Sequence, residues 1–290
     1  MIDRRGFVAA TGTFAACPAW ARAAPPFGPA FGDAVAAIER EGDGRLGLAL
    51  RDTASGARFA WRGGERFPMC SSFKILLAAC ILRRVERGDE RLDRALPIAP
   101  ADILDHSPFC RTRIGGTATV AELARAAATA SDNCAANLLL RAVGGPAGLT
   151  RFFRAEGDTV TRIDRYELEL NSSIPGDPRD TTSPLAMLGL LERLALGRAL
   201  GPASRDRLVQ WMLDNETGAG KLRAGLPPGW RVGNRTGAGP RGSNVDLAIA
   251  WPPGRAPVLI TAFLTGGTRP PEEADRVHAR IGRLVAAALA

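Results

Sequence analysis

Lysine is almost missing from this chain. Of its 38 basic side chains, Lys74 and Lys221 are the only lysines and the rest are arginines. Histidine is as scarce, with His106 and His278 alone. That argues against a histidine-rich metal centre and leaves little material for a Ser-His-Asp arrangement. No phosphate-binding glycine loop, zinc finger or RNA-recognition aromatic pattern occurs. The arginines are scattered, so the net charge of +8 reads as a solvated surface rather than a nucleic-acid footprint. No apolar run approaches the ~18 residues of a membrane span. What remains is an ordinary globular composition, 46% hydrophobic and 23% charged over 290 residues, enough for one large domain or two lobes.

Residues 1–23 read as an export signal. Arg4-Arg5-Gly6-Phe7-Val8 resembles the twin-arginine type, a weakly apolar run follows to Trp20, and Ala21-Arg22-Ala23 is an A-x-A cleavage site. Phe14-Ala15-Ala16-Cys17 is a poor lipoprotein box. The expected product is a periplasmic or secreted protein with no membrane span, monomeric by default. Its four remaining cysteines, Cys70, Cys80, Cys110 and Cys134, lie in or beside apolar helical stretches. There buried free thiols are common, although an oxidising compartment permits bridges. Their spacing indicates no metal site.

Met69 to Leu77 is the stretch around which the rest is organised. It reads as a turn that delivers Ser71 to the start of a buried helix, with Lys74 on the same face one turn later. A serine at a helix N-terminus faces free N–H groups and the positive end of the dipole, which favour an oxyanion. Arginine cannot serve as a base, whereas a desolvated lysine can lose its proton. A lysine at position 74 of so arginine-biased a chain therefore points to an amine that must deprotonate. The competing reading is a solvated helix-surface lysine, and an isolated Ser-x-x-Lys is a weak signal.

In chain order, a helix is expected over 29–41, then short strands over 46–50 and 58–61 joined by a Thr53-Ala54-Ser55-Gly56 turn. Helices dominate the next ~150 residues. They include one running to about Arg87, one opened by the capping box Thr119-Val120-Ala121-Glu122, one from Asn137 to Val143 and one from Pro146 to Glu156. Residues 162–180 lack periodicity and read as a long ordered loop. Helices follow from Ser183-Pro184 and from Ser204, then strands over 230–236, 245–251 and 258–264, and a final amphipathic helix over 270–289. Strands at both ends around a helical middle predict an α+β fold with two lobes. Residues 24–66 and 215–290 form an antiparallel sheet of about five strands with terminal helices. Residues 67–214 form an all-helical lobe that carries the 162–180 loop, and the site lies between the two.

Three further clusters are unremarkable alone. Ser131-Asp132-Asn133 is an acceptable helix cap, Glu167 a loop carboxylate, and Arg235-Thr236-Gly237 a strand end. Together with Ser71-x-x-Lys74, in this order and spacing, they carry a resemblance to the class A β-lactamases. The resemblance covers nearly the whole chain after the signal, including Arg165 to Asn171 and Arg179-Asp180-Thr181-Thr182.

It implies a hydrolase of penicillins, with cephalosporins as further candidate substrates, conferring antibiotic resistance with no cofactor and no metal. Ser71 would form the acyl-enzyme, and Lys74, or Glu167 through a water, would take its proton. Ser131 would relay a proton to the lactam nitrogen. Asn133 would bind the substrate's side-chain amide, and the N–H groups of Ser71 and Ala238 would form the oxyanion hole. Glu167 and Asn171 would hold the deacylating water, Arg165 and Asp180 would brace the loop, and the Glu167–Leu168 peptide would be cis. Arg235, with Thr236 and Gly237, would bind near the substrate carboxylate.

The chain departs from the family in three respects. Arginine replaces lysine at position 235, as in carbenicillin-hydrolysing members. The positions that supply a second carboxylate-binding arginine hold Asn244, Asp275 and Lys221, which leaves Lys221 as the candidate cation. Ala78 and Ala124, and Gly239 opposite Cys70, rule out the two family disulfides, which argues against broad carbapenem hydrolysis. A penicillin-binding peptidase shares the serine and lysine motifs but lacks Glu167 and Asn171 in their loop. A non-catalytic scaffold would not need every polar position filled.

Overall fold

The computed structural model describes residues 26–290. The export-signal reading of residues 1–23 falls outside that range. Among the described residues no helix is long and apolar enough to cross a membrane. The helices are α1 (Pro29–Glu41), α2 (Phe73–Glu86), α3 (Pro108–Arg111), α4 (Val120–Thr129), α5 (Asn133–Ala142), α6 (Gly145–Ala155), α7 (Pro184–Ala195), α8 (Pro202–Leu213), α9 (Leu222–Gly225) and α10 (Pro271–Leu289). The strands are β1 (Arg45–Asp52), β2 (Arg58–Trp61), β3 (Phe67–Pro68), β4 (Ala95–Pro97), β5 (Thr117–Thr119), β6 (Thr181–Thr182), β7 (Arg231–Gly239), β8 (Ser243–Trp251) and β9 (Val258–Thr265).

One antiparallel five-stranded sheet runs in the order β2-β1-β9-β8-β7. Both of its faces are covered, which explains why β1, β8 and β9 read as nearly continuous apolar runs. Side chains still alternate at period two. Leu46, Leu48, Leu50, Ile260 and Leu264 join Phe31, Val35, Val277 and Ile281 of α1 and α10 in one core. Ala49, Val245, Leu247, Leu259 and Phe263 face the other way, into the core of α2, α4, α5 and α7. The α+β class and the five-stranded antiparallel sheet expected from sequence are both present.

Helix α2 lies at the centre of the helical core. Every residue from Phe73 to Leu82 is buried, so it is apolar around its circumference apart from Lys74. Its first turn is preceded by a short 3-10 turn, Cys70–Ser72, that holds the serine. Helix α4 carries the expected capping box, in which Thr119 Oγ1 accepts from Glu122 N and Glu122 Oε2 accepts from Thr119 N at 2.8 Å. Helix α5 starts four residues earlier than the expected Asn137 boundary. Asp132 caps it by accepting the Ala135 N–H at 2.8 Å, and that bond extends the helix back to Asn133. Helix α8 begins at Pro202 rather than Ser204, because proline's fixed φ suits the first helical turn. The two-residue ladder β3–β6 ties the entrance of α2 to the end of the 162–180 loop.

Candidate active site

The 70–72 turn meets strand β7 edge-on. A Cβ on Gly237 would lie 2.7 Å from Met69 O and 3.0 Å from Ser71 N. Only glycine allows that approach. Cys70, just before the serine, has φ of 45°, and Ser131 has φ of 62°. Left-handed backbone at two non-glycine residues in one site is costly and is held by its surroundings. At Ser131 it goes with a carbonyl turned inward, which accepts from Lys74 Nζ at 2.9 Å.

Lys74 is wholly buried among acceptors. Its Nζ lies 3.0 Å from Ser71 Oγ, 3.3 Å from Ser131 Oγ and 3.0 Å from Glu167 Oε1, and it also donates to Asn133 Oδ1. Burial pulls its pKa down to about 8, against the opposing pull of the Glu167 charge. The preference for arginine is thus broken here at a wholly buried cation whose pKa burial lowers and whose neighbours are a serine hydroxyl and a carboxylate.

Glu167 closes a triangle with these two side chains, its Oε1 accepting from Ser71 Oγ at 3.3 Å. Its Oε2 accepts from Asn171 Nδ2 at 2.5 Å. Asn171 Oδ1 is a buried acceptor without a protein partner. The Glu167–Leu168 peptide is cis. The loop is braced by Arg165 Nε, which donates to Asp180 Oδ2 at 2.6 Å, while Asp180 Oδ1 accepts the Asp164 and Arg165 N–H groups at 2.7 and 3.0 Å. A second brace comes from Asn137, a residue the sequence reading did not single out. Its amide donates to Glu167 O and accepts from Glu167 N, both at 2.9 Å. The available signal was an asparagine set among apolar residues of α5, between Ala136 and Leu138, which must find partners when buried.

Arg235 enters from β7, fully buried. Its Nη2 donates to Ser131 Oγ at 2.7 Å, while Nε and Nη1 have no partner in the protein. Burial lowers its pKa to about 10, still above neutrality, so it remains a cation. Thr236 shares a hydrogen bond with Thr217, Oγ1 to Oγ1, at 2.6 Å. Asn133 is held by Asp105 O, which accepts its Nδ2 at 2.7 Å.

Ser71, Ser131, Asn133, Asn171, Thr236, Gly237 and Ala238 line a cleft of about 750 Å³, with Lys74, Glu167 and Arg235 buried behind it. His106 and Leu168 also line it, and neither was assigned a role from sequence. Lys221 is on the same wall, but its ammonium is engaged. It donates to Asp275 Oδ1 at 2.5 Å and to Asn244 Oδ1. The charge of Lys221 is therefore offset by Asp275, and the two residues that looked like empty cation positions in the sequence are its partners. Gly239 stands against Cys70 Sγ, which a Cβ there would meet at 2.8 Å.

A family model described as "Beta-lactamase enzyme family" matches residues 30–289. The chain is 48% identical over 250 residues to "Beta-lactamase L2" of Stenotrophomonas maltophilia, covering 86% of this chain and 82% of that protein. It is 44% identical to "Carbapenem-hydrolyzing beta-lactamase KPC" of Klebsiella oxytoca, over 86% and 85% of the two chains. Among solved structures it superposes on an ancestral (GNCA) class A β-lactamase with a TM-score of 0.87 and 55% identity, covering 88% of this chain and 98% of that one. A β-lactamase from Xanthomonas campestris pv. campestris aligns with a TM-score of 0.88 at 47% identity, covering 90% and 98%.

Proposed function

The chain belongs to the class A β-lactamases, hydrolases of β-lactam antibiotics, and from that premise we propose how its own residues divide the reaction. The observation that carries the reading is the closed triangle of Ser71 Oγ, Lys74 Nζ and Glu167 Oε1, with sides of 3.0, 3.0 and 3.3 Å.

Ser71 Oγ attacks the lactam carbonyl and becomes the acyl carrier. Its proton has two routes that end alike. Glu167 takes it directly while Lys74 donates to the serine oxygen. Alternatively, Lys74 first gives a proton to Glu167 and then receives the one from Ser71. Either way the triangle ends as a lysine ammonium beside a protonated glutamate. The oxyanion is received by the N–H groups of Ser71 and Ala238, which the close approach at Gly237 brings to one side of the cleft. The proton then leaves through Lys74 and Ser131 to the lactam nitrogen as the C–N bond breaks, and Glu167 returns to its carboxylate. With Asn171 it orients a water onto the ester and takes a proton from that water, then passes it, directly or through Lys74, to Ser71 Oγ as the ester C–O bond breaks, so that Ser71 departs as the free hydroxyl and Glu167 is again a carboxylate.

Arg235, buried behind Ser131 and Thr236, draws the substrate carboxylate to that end of the cleft as a fixed cation, and Thr236 meets it at the wall. Asn133 and the β7 edge at Ala238 position the acyl side chain. Lys221 serves the carboxylate as a hydrogen-bond donor more than as a net charge, because Asp275 neutralises it. The mature enzyme acts after export, directed by the signal in residues 1–23. The test is hydrolysis of a simple penicillin in large excess over purified enzyme. Steady loss of lactam absorbance far beyond one equivalent is the expected result. A halt at one equivalent with the adduct on Ser71 overturns the deacylation roles given to Glu167 and Asn171.

A further inference from the structure

Two cysteines that the reaction does not use lie directly behind it. Cys110 is in α3 and Cys134 in the first turn of α5, immediately after Asn133. Both are fully buried and free. Their Sγ atoms and a carboxylate oxygen of Asp132 all lie within 4.8 Å of one another. The backbone around them is already stitched together. Cys110 N and Phe109 N donate to Asp132 Oδ2 at 3.0 and 2.9 Å, Cys134 N donates to Ser107 Oγ at 3.1 Å, and Asn133 N donates to His106 O at 3.0 Å.

We propose that Cys110 and Cys134 are a disulfide site, closed when the chain folds under oxidising conditions. The bridge would clamp the 105–111 segment onto the segment that carries Ser131 and Asn133. A soft metal ion would need Asp132 as a third ligand, but its two oxygens already accept three backbone N–H groups. The two sulfurs are therefore left to each other.

The chemistry is thiol–disulfide exchange with a disulfide donor such as glutathione disulfide. One cysteine thiolate attacks the donor and expels one thiol. The second thiolate then attacks the mixed disulfide and expels the other. The two cysteines lose two protons and two electrons, and the donor is reduced to two thiols. Burial sets the timing. The neighbouring Cys134 thiol, burial and the nearby Asp132 charge disfavour a thiolate at Cys110 once the fold is complete. No donor reaches either sulfur through the closed core. The bridge therefore forms before α3 and α5 have docked, and the folded reduced protein resists oxidation.

The experiment is to unfold the mature enzyme in denaturant with reductant, then refold it in parallel with glutathione disulfide and with reductant alone. Alkylation in denaturant, followed by peptide mapping, reads the pairing. The expected result is a linked Cys110–Cys134 peptide in the oxidised sample, with Cys70 and Cys80 alkylated. Its melting temperature should lie about 5–10 °C above that of the reduced sample. Reductant added to a Cys110→Ala variant should then leave its melting temperature unchanged. Four alkylated cysteines in refolded, active enzyme overturn the proposal, as does a bridge that uses Cys70 or Cys80. Stoichiometric Cd²⁺ retention by the reduced pair, seen as thiolate-to-metal absorbance and accompanied by no bridge, reassigns the site to soft metals and overturns it too. If refolding fails, the same map on enzyme recovered from a host's periplasm decides between these outcomes.

Discussion

Lys74 and Glu167 meet as an ion pair at 3.0 Å with both side chains completely shielded from solvent. A buried pair of this kind is weak evidence for stability, because desolvation cancels much of the attraction. Its place beside Ser71 supports the role we propose for it, as a pair that passes the serine's proton.

Removing one partner should therefore stall the cycle at a defined point. Glu167→Ala is expected to acylate and then stop, with turnover lowered about 10²–10⁴-fold. Mass spectrometry after mixing with a penicillin should find Ser71 almost wholly penicilloylated. Turnover near that of the parent would contradict the deacylation role.

Lys74→Arg keeps the charge and loses the exchangeable proton. Acylation, followed by stopped-flow absorbance, should slow about 10²–10⁴-fold even where the protein remains folded. A variant that acylates at the parent rate would show that the scarcity of lysine in this chain carries no catalytic meaning.

The carboxylate end of the cleft gives a contrast in sign. Arg235→Ala should raise KM for penicillins about 10–100-fold, the value of a charge-assisted hydrogen bond. Asp275→Asn should lower it about two- to fivefold, because the cation of Lys221 is then no longer neutralised. An unchanged KM in the second variant, together with an unchanged KM in Lys221→Ala, would remove Lys221 from substrate binding altogether.

Stability should fall in acid through a buried group that the reaction does not use. His278 is buried on α10 with neither ring nitrogen hydrogen-bonded, and burial depresses its pKa to about 3. The unfolded chain binds this proton near pH 6.5, the folded chain only near pH 3. Stability contributed by the neutral ring is therefore full above pH 6.5 and is lost as the pH drops towards 3. Denaturant titrations of His278→Leu should lose about 2 kcal/mol less between pH 7 and pH 5 than the parent does. Equal losses in the two proteins would rule out His278 as the acid-sensitive group.

The sheet was readable because alternating and continuous apolar runs follow from burial on one or both faces, and the terminal helices because their apolar stripes are regular. The triangle was readable from Ser71-x-x-Lys74 and the later motifs taken jointly. What escaped depends on contacts made across the chain. Nothing near Asn137 announces that its amide will clamp Glu167 from the neighbouring loop. Nothing in Asn244 or Asp275 announces Lys221 as a partner. The ladder of Phe67-Pro68 with Thr181-Thr182 is too short to have a period. Ser131-Asp132-Asn133 reads as a helix cap, and Asp132 serves as one, but the helix it opens begins at Asn133, four residues ahead of the expected Asn137.

Strand β1 lies between β2 and β9, with Arg45 in register with Thr265 and Asp52 with Val258. The first long strand of the chain thus waits for the last one. During synthesis the helical middle is complete while β1 has neighbours on one edge only. Strand β7, which carries Arg235 and Gly237, is attached to the rest of the sheet only through β8 and β9. A nascent chain lacking its final segment has its nucleophile but no stable wall opposite it. Catalytic competence therefore arrives late and all at once, when the slow non-local pairing of β1 with β9 closes the sheet and sets the β7 wall opposite Ser71.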